Sequence, residues 1–253
     1  METKLEFIHR LLATVADQRE NPKRRKKATW RENLETVVED VDALIPQNEA
    51  EEMELQKFGF YPVEECQPFY TNKKKPFYFL DNMSLVDMSD TANMHHYGDF
   101  TFRQIEILFI MARMDNAEGH FWLKENLWRG SYLDAQQKRL YKNKFKGHER
   151  EDWKRIQTEW MRYCLNLKFR DNALFRRDLA NLGDKFPVED GTGNNYESIL
   201  FWGVILVEFN GKKYYFGCNV LGKLLAQLRT CNGSLPYTLP EDMHLFGKPI
   251  LDL

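Results

Sequence analysis

Asn210-Gly211 sits between two β-prone runs, Ile205–Phe209 and Lys213–Phe216. An Asn-Gly pair takes the positive-φ positions of a tight turn at low cost, and the twist of that turn suits antiparallel strands. The stretch is therefore predicted as a β-hairpin. It runs on into a helix, from Val220 to about Leu228, with Asn219 placed as its N-cap. Trp202-Gly203 precedes the hairpin, and Gly217-Cys218-Asn219-Val220-Leu221-Gly222 follows it. Two readings of these glycines are open: packing alone, or a surface where a ligand approaches the backbone.

Helical periodicity dominates the rest of the chain. Leu5, Ile8, Leu11, Leu12 and Val15 form one stripe, and Leu34, Val37, Val38, Val41, Leu44 and Ile45 form a second that stops at Pro46. These two could make a helical hairpin. Between them, Lys23-Arg24-Arg25-Lys26-Lys27 reads as a solvated connector or a weak phosphate contact. The chain becomes turn-rich around Pro62–Lys75, and a boundary near residue 70 separates an N-terminal helical extension (1–70) from a second domain (71–253). In the latter, Phe77–Leu80 is expected as a strand or buried extended piece. Helices are expected over 103–114, 134–146 and 149–170, with a short one ending at Gly183.

With 43% hydrophobic and 14% aromatic residues over 253 positions, the chain can build a core. A net charge of −2 argues against a surface that grips nucleic acid throughout. Cys66, Cys164, Cys218 and Cys231 are scattered without a Cys-x-x-Cys pair, so neither a zinc site nor a disulfide framework is expected. No run of about 18 apolar residues and no apolar leader is found, so the reading is a soluble cytoplasmic protein without a membrane partner.

Three features can carry chemistry. Glu106 lies within Ile105-Glu106-Ile107-Leu108-Phe109-Ile110, where an ionised carboxylate is costly to bury. It must be paired, protonated or facing a cavity, and the last two suit general acid or base work. The plainer alternative is a polar helix edge, or an ion pair with Arg103 or Arg113. Trp153, just after Glu149-Arg150-Glu151-Asp152, and Trp202, just before Gly203, can stack on a heteroaromatic ring or simply pack. The helix start at Asn219 has amides and a dipole that suit an anion, although its glycine spacing fits neither a Walker loop nor a dinucleotide fingerprint. His95-His96 reads as a polar surface or loop pair, because adjacent side chains diverge.

Taken in order, several segments resemble the NADAR (YbiA-like) family of N-glycosidases over about residues 76–230. Phe79-Leu80-Asp81-Asn82-Met83 looks like the family's Phe-Leu-Ser-Asn-Phe opening, and Phe102-Arg103-Gln104-Ile105-Glu106 like the segment that ends in its catalytic glutamate. Asp152-Trp153, Met161, Lys168-Phe169, Asn172 and Leu174 follow a further run, as do Leu182-Gly183 with Val188-Glu189. Trp202-Gly203, Gly217-x-Asn219-x-Leu221-Gly222 and Arg229 match the family's ending.

The resemblance implies a helix-rich α+β fold with a small antiparallel hairpin or sheet. It implies cleavage of an N-glycosidic bond in an ADP-ribosylated nucleobase, including guanine in DNA, or in a related phosphoribosyl substrate, with no cofactor and no metal. Glu106, Trp153 and Trp202 would then be catalytic. Asn82, Arg113, Gly203, Gly217, Asn219, Gly222 and Arg229 would contact the substrate. Three departures stand out: Ile110 and Arg113 replace the family's Gln and Lys, and Val204 stands where many members have an Asp two residues after the Trp. Arginine stays protonated and is a poor nucleophile, so a pocket that binds ADP-ribose without cutting it is the alternative. A third reading is an interaction protein whose N-terminal helices recruit a partner.

Overall fold

The computed structural model describes residues 2–3, 6–11, 13, 55, 57–70, 74–128, 141, 143–191 and 201–251. The predicted helices over 34–45 and, for the most part, 134–146 lie outside the described residues, as does the basic run at 23–27. The fold is α+β, with helices and several small antiparallel sheets; β2 (Cys66–Phe69) and β5 (Phe186–Glu189) are two of its short strands. The chain falls into two compact units, Met1–Pro68 with Val188–Lys223, and Phe69–Pro187 with Leu224–Leu253. Among the described residues no helix is long and apolar enough to cross a membrane.

The first unit is built on the predicted hairpin. Strands β6 (Ile205–Phe209) and β7 (Lys212–Gly217) pair antiparallel from Ile205↔Phe216 to Phe209↔Lys212. Asn210 and Gly211 take φ values of 49° and 75°, as a type I′ turn requires. β1 (Gly59–Pro62) adds to the far edge of β7, pairing Gly59↔Gly217 through Pro62↔Tyr214. This strand borders a region that reads as turns; partnership with β7, not local propensity, makes it extended. Ile205, Val207 and Phe209 alternate onto one buried face with Phe7, Leu11 and Phe216. Phe7 and Leu11 come from the helical residues 6–11 and are i,i+4 neighbours. The Phe7 ring lies 5.3 Å from Phe209 and 5.6 Å from Phe60.

The second unit is organised around one long helix. α1 (Ile105–Met111), α2 (Ala117–Trp128), α3 (Trp153–Asp171) and α4 (Ala173–Ala180) follow in order, with the hairpin β3 (His95–Tyr97) and β4 (Phe100–Phe102) ahead of them. α3 buries Ile156, Trp160, Met161, Tyr163, Cys164, Leu165 and Leu167, a stripe too wide for a surface helix. Trp160 stacks on Tyr163 at 4.7 Å, and its Nε1–H donates to Leu108 O across to α1 (3.2 Å). Asn166 and Leu235 exchange two hydrogen bonds of 2.8 Å, fixing the tail onto α3. The Asn172 side chain caps α4 by accepting from Phe175 N (2.8 Å). Tyr78–Leu80 is a 3-10 turn, not a strand. The Asp178 carboxylate accepts from Phe79 N (3.1 Å), and the Tyr78 hydroxyl accepts from Leu85 N (2.6 Å), which bends the segment.

The histidine pair divides. Alternation on β3 exposes His96 and buries His95 completely, so the expectation of two surface histidines fails for His95. Neither ring nitrogen of His95 has a hydrogen-bond partner among the described residues. Burial, then the charge of Lys168, lowers its pKa from 6.5 to about 3. The unfolded chain takes up this proton as pH falls through about 6.5, whereas the folded chain does not until about 3, so stability is lost across that window. His95→Leu is expected to flatten the melting-temperature profile between pH 6.5 and 4. Superimposable profiles for variant and parent would rule out this account of His95.

Candidate active site

α1 is short and sharply two-sided. Ile105, Ile107, Leu108 and Met111 are buried, whereas Glu106, Phe109 and Ile110 are half-buried, and Arg113 continues their line just past the helix end. The spacing i, i+3, i+4, i+7 makes one stripe. Trp153, the first residue of α3, meets Phe109 edge-to-face at 5.3 Å and 62°. Arg113 pairs with Glu149 at 3.1 Å. The open face of α1 is thus an aromatic and aliphatic floor, with a carboxylate at its N-terminal end and a paired guanidinium past its C-terminal end.

The N-terminus of α1 is held by the turn before it. Asn82 O accepts from Glu106 N (3.2 Å), and Met83 O accepts from Gln104 Nε2 (2.7 Å). Val86 and Arg103 exchange two further bonds, Val86 N to Arg103 O (3.0 Å) and Arg103 Nε to Val86 O (2.9 Å). Asn82 is only 4% exposed. Its Nδ2 donates to Met161 Sδ (3.1 Å), and its Oδ1 accepts from Lys168 Nζ (3.4 Å). The residue expected to touch substrate therefore has both ends of its amide engaged within the protein.

Lys168 is the member of this group that the sequence marked only as part of the Lys168-Phe169 segment, with no expected role at the site. It is fully buried on α3, one turn beyond Cys164. Burial lowers its pKa to about 7, against the carboxylates of Asp81, Glu106 and Asp178, which raise it. Burial, then the Glu106 carboxylate, pushes the Cys164 thiol well up. Glu106 thus acts on two residues of one α3 face. In the sequence, a second sign was a lysine within an otherwise apolar helix face, Met161-x-x-Cys164-x-x-Leu167-Lys168.

Trp202, Gly203, Gly217, Asn219 and Gly222 lie in the first unit, whereas Asn82, Glu106, Arg113, Trp153 and Arg229 lie in the second. In the first unit, Trp202 is half-buried and meets Phe201 edge-to-face at 4.6 Å. Asn219 directly precedes helix α5 (Val220–Thr230), where its Oδ1 accepts from Glu189 N (3.2 Å) and its φ is 53°. The amides expected to be open to an anion are engaged here. Asn219, Val220 and Leu221 N–H groups donate to the carbonyls of Gly203, Phe201 and Trp202 at 3.2, 3.0 and 3.1 Å. Gly203 and Gly217 are glycines because two backbones touch. A Cβ on Gly217 would lie 2.3 Å from Gly203 O, and one on Gly203 would lie 2.7 Å from Glu189 O. Val204, fully buried, bonds through its N to Glu189 O and through its O to Gly191 N (both 2.8 Å). Gly222 is buried in the first turn of α5.

In the second unit, Arg229 Nη1 donates to the carbonyls of Gly183 (2.6 Å) and Lys185 (3.2 Å), tying α5 to the turn after α4. All four cysteines are free thiols. Among the described residues no group of three or more His, Cys, Asp or Glu side chains could hold a metal ion.

Comparison with curated proteins gives no match. The NADAR domain, by contrast, matches residues 68–231, well over half of the chain. That span contains Glu106 at its helix start, the Asn82 turn and the α3 face that carries Lys168. The chain belongs to the NADAR family, a family associated with N-glycosidase-like activity.

Proposed function

We propose that this protein hydrolyses the N-glycosidic bond of an ADP-ribosylated nucleobase or a related phosphoribosyl compound. The observation that carries the reading is the placement of Glu106. It is the carboxylate on the half-buried stripe of α1, with Phe109 and Trp153 forming an aromatic floor beside that stripe. Such a carboxylate can stabilise an oxocarbenium-like sugar, or move a proton between water and the leaving nitrogen. The C1′–N bond breaks with its electron pair going to nitrogen, and water's oxygen bonds to C1′. Rings of substrate or product would rest against Trp153.

Incubation with ADP-ribosylated guanine in DNA, NAD-derived nucleotides and phosphorylated riboflavin intermediates, followed by mass spectrometry, tests the reading. Release of free base or amine together with the hydrolysed sugar phosphate is expected from at least one class. Arg113, where the family has Lys, is paired with Glu149 and favours a second reading, binding without turnover. Calorimetric binding of ADP-ribose with no product from any class would replace the first reading with the second.

A further inference from the structure

Lys168 has an environment unusual for its residue type. Its side chain is fully buried, and Nζ donates to Leu80 O (3.4 Å), Asp81 O (2.9 Å) and Asn82 Oδ1 (3.4 Å). An ammonium has three donors, and all three go to one stretch of three residues. The Phe175 ring lies 4.6 Å from the amine on another side. Asp81, Glu106 and Asp178 are the carboxylates whose charge it feels, and His95, the neighbouring imidazole, is held neutral.

A buried polar or ionic group can fix the conformation of the segment it bonds. Here those partners form the turn that holds the start of α1, since the Asn82 carbonyl accepts the Glu106 amide (3.2 Å). Asn82 thus links both: its side chain is anchored on Lys168 and Met161, and its main chain is anchored on Glu106. A shift in the turn is a shift in the main chain of the carboxylate-bearing residue. A displacement of about 1 Å at a reacting group is enough to slow turnover by about 100-fold.

We infer that Lys168, acting through the Leu80–Asn82 turn, is a positioning residue for Glu106, and that Asn82 serves as the relay and not as a substrate contact. This rests on the reading of Glu106 as the acting carboxylate. Lys168 itself touches no substrate, because no part of its side chain reaches solvent.

The test uses the full chain with Lys168→Met and, because a buried variant can fail to fold, Asn82→Leu, which breaks the same link from the other end. Steady-state kinetics on a cleaved substrate should show kcat reduced by about 10- to 100-fold with KM within about twofold. Lys168→Met combined with Asn82→Leu should be no slower than the worse single variant, since both cut one connection. Amide hydrogen exchange, which needs no substrate, should be at least about tenfold faster at Glu106 in either variant, with amides of the β6–β7 hairpin unchanged. Wild-type kcat and wild-type Glu106 exchange in either folded variant would overturn the inference. If Glu106→Gln is inactive in the same assay, the reading of Glu106 survives that result; a fully active Glu106→Gln overturns both.

Discussion

Glu106→Gln is expected to lower kcat by about 10²- to 10⁴-fold, the range that a positioned acid or base contributes. Gln keeps the length and shape of the side chain but can neither carry the charge nor pass the proton. The residue sits on the half-buried edge of α1, and its amide bond to Asn82 involves only main chain. The carboxylate is felt by the buried Lys168 and Cys164, so a fall in melting temperature of about 2–4 °C should accompany the loss. KM should stay within a few-fold, because the missing interaction develops in the transition state. Assay of product release beside a thermal melt checks both halves. A fully active variant would remove the carboxylate from the chemistry altogether.

Gly217→Ala is expected to be the most damaging small substitution in the first unit. The added methyl would lie 2.3 Å from Gly203 O and 3.0 Å from Val204 Cα, both backbone atoms that cannot rotate away. Forcing strands and loop apart there should cost about 3 kcal/mol or more, roughly a 10 °C drop in melting temperature for a chain of this size. Gly211→Ala is the control. It shares a positive φ, 75°, but meets nothing within 4 Å, so only the left-handed conformation is penalised, by about 1 kcal/mol. Comparable, small losses for both variants would mean that the backbone contact is not what the glycine protects.

The contrast between these glycines shows where the sequence was readable. Asn210-Gly211 announced its turn because the demand is local: two positive-φ positions between alternating residues. Gly203 and Gly217 gave no such clue, since the atoms they accommodate, Glu189 O and Gly203 O, come from elsewhere in the chain. Room for a ligand and room for another backbone look the same in one dimension. The start of α5 misled for the same reason, because the carbonyls of Phe201 to Gly203 that engage its amides could not be read from spacing. The α1 helix, by contrast, followed from its apolar run, expected over 103–114 and found at Ile105–Met111, and Glu106 stood out by its polarity. Lys168 did not, because a lysine in a helix is ordinarily solvated, and only the tertiary fold shows that its amine ends on the Leu80–Asn82 turn. His95 was misjudged because adjacency says that two side chains diverge, but not which of them turns inward.

The pairing of β1 with β7 carries a consequence for how the chain is made. Gly59 and Gly217 are register partners, yet on a ribosome the first emerges about 160 residues before the second. Through most of synthesis β1 has no neighbour, and Phe60 and Tyr61 must wait while the segment Phe69–Pro187 is produced between them and their sheet. A gap that long slows closure, and all of Phe69–Pro187 is made before β7 can close the sheet on β1. Shortening from the front is correspondingly asymmetric. Removing residues before Phe69 spares the helices around α3 but leaves β7 with an open edge, Tyr214 to Gly217, ready to recruit a strand from another molecule.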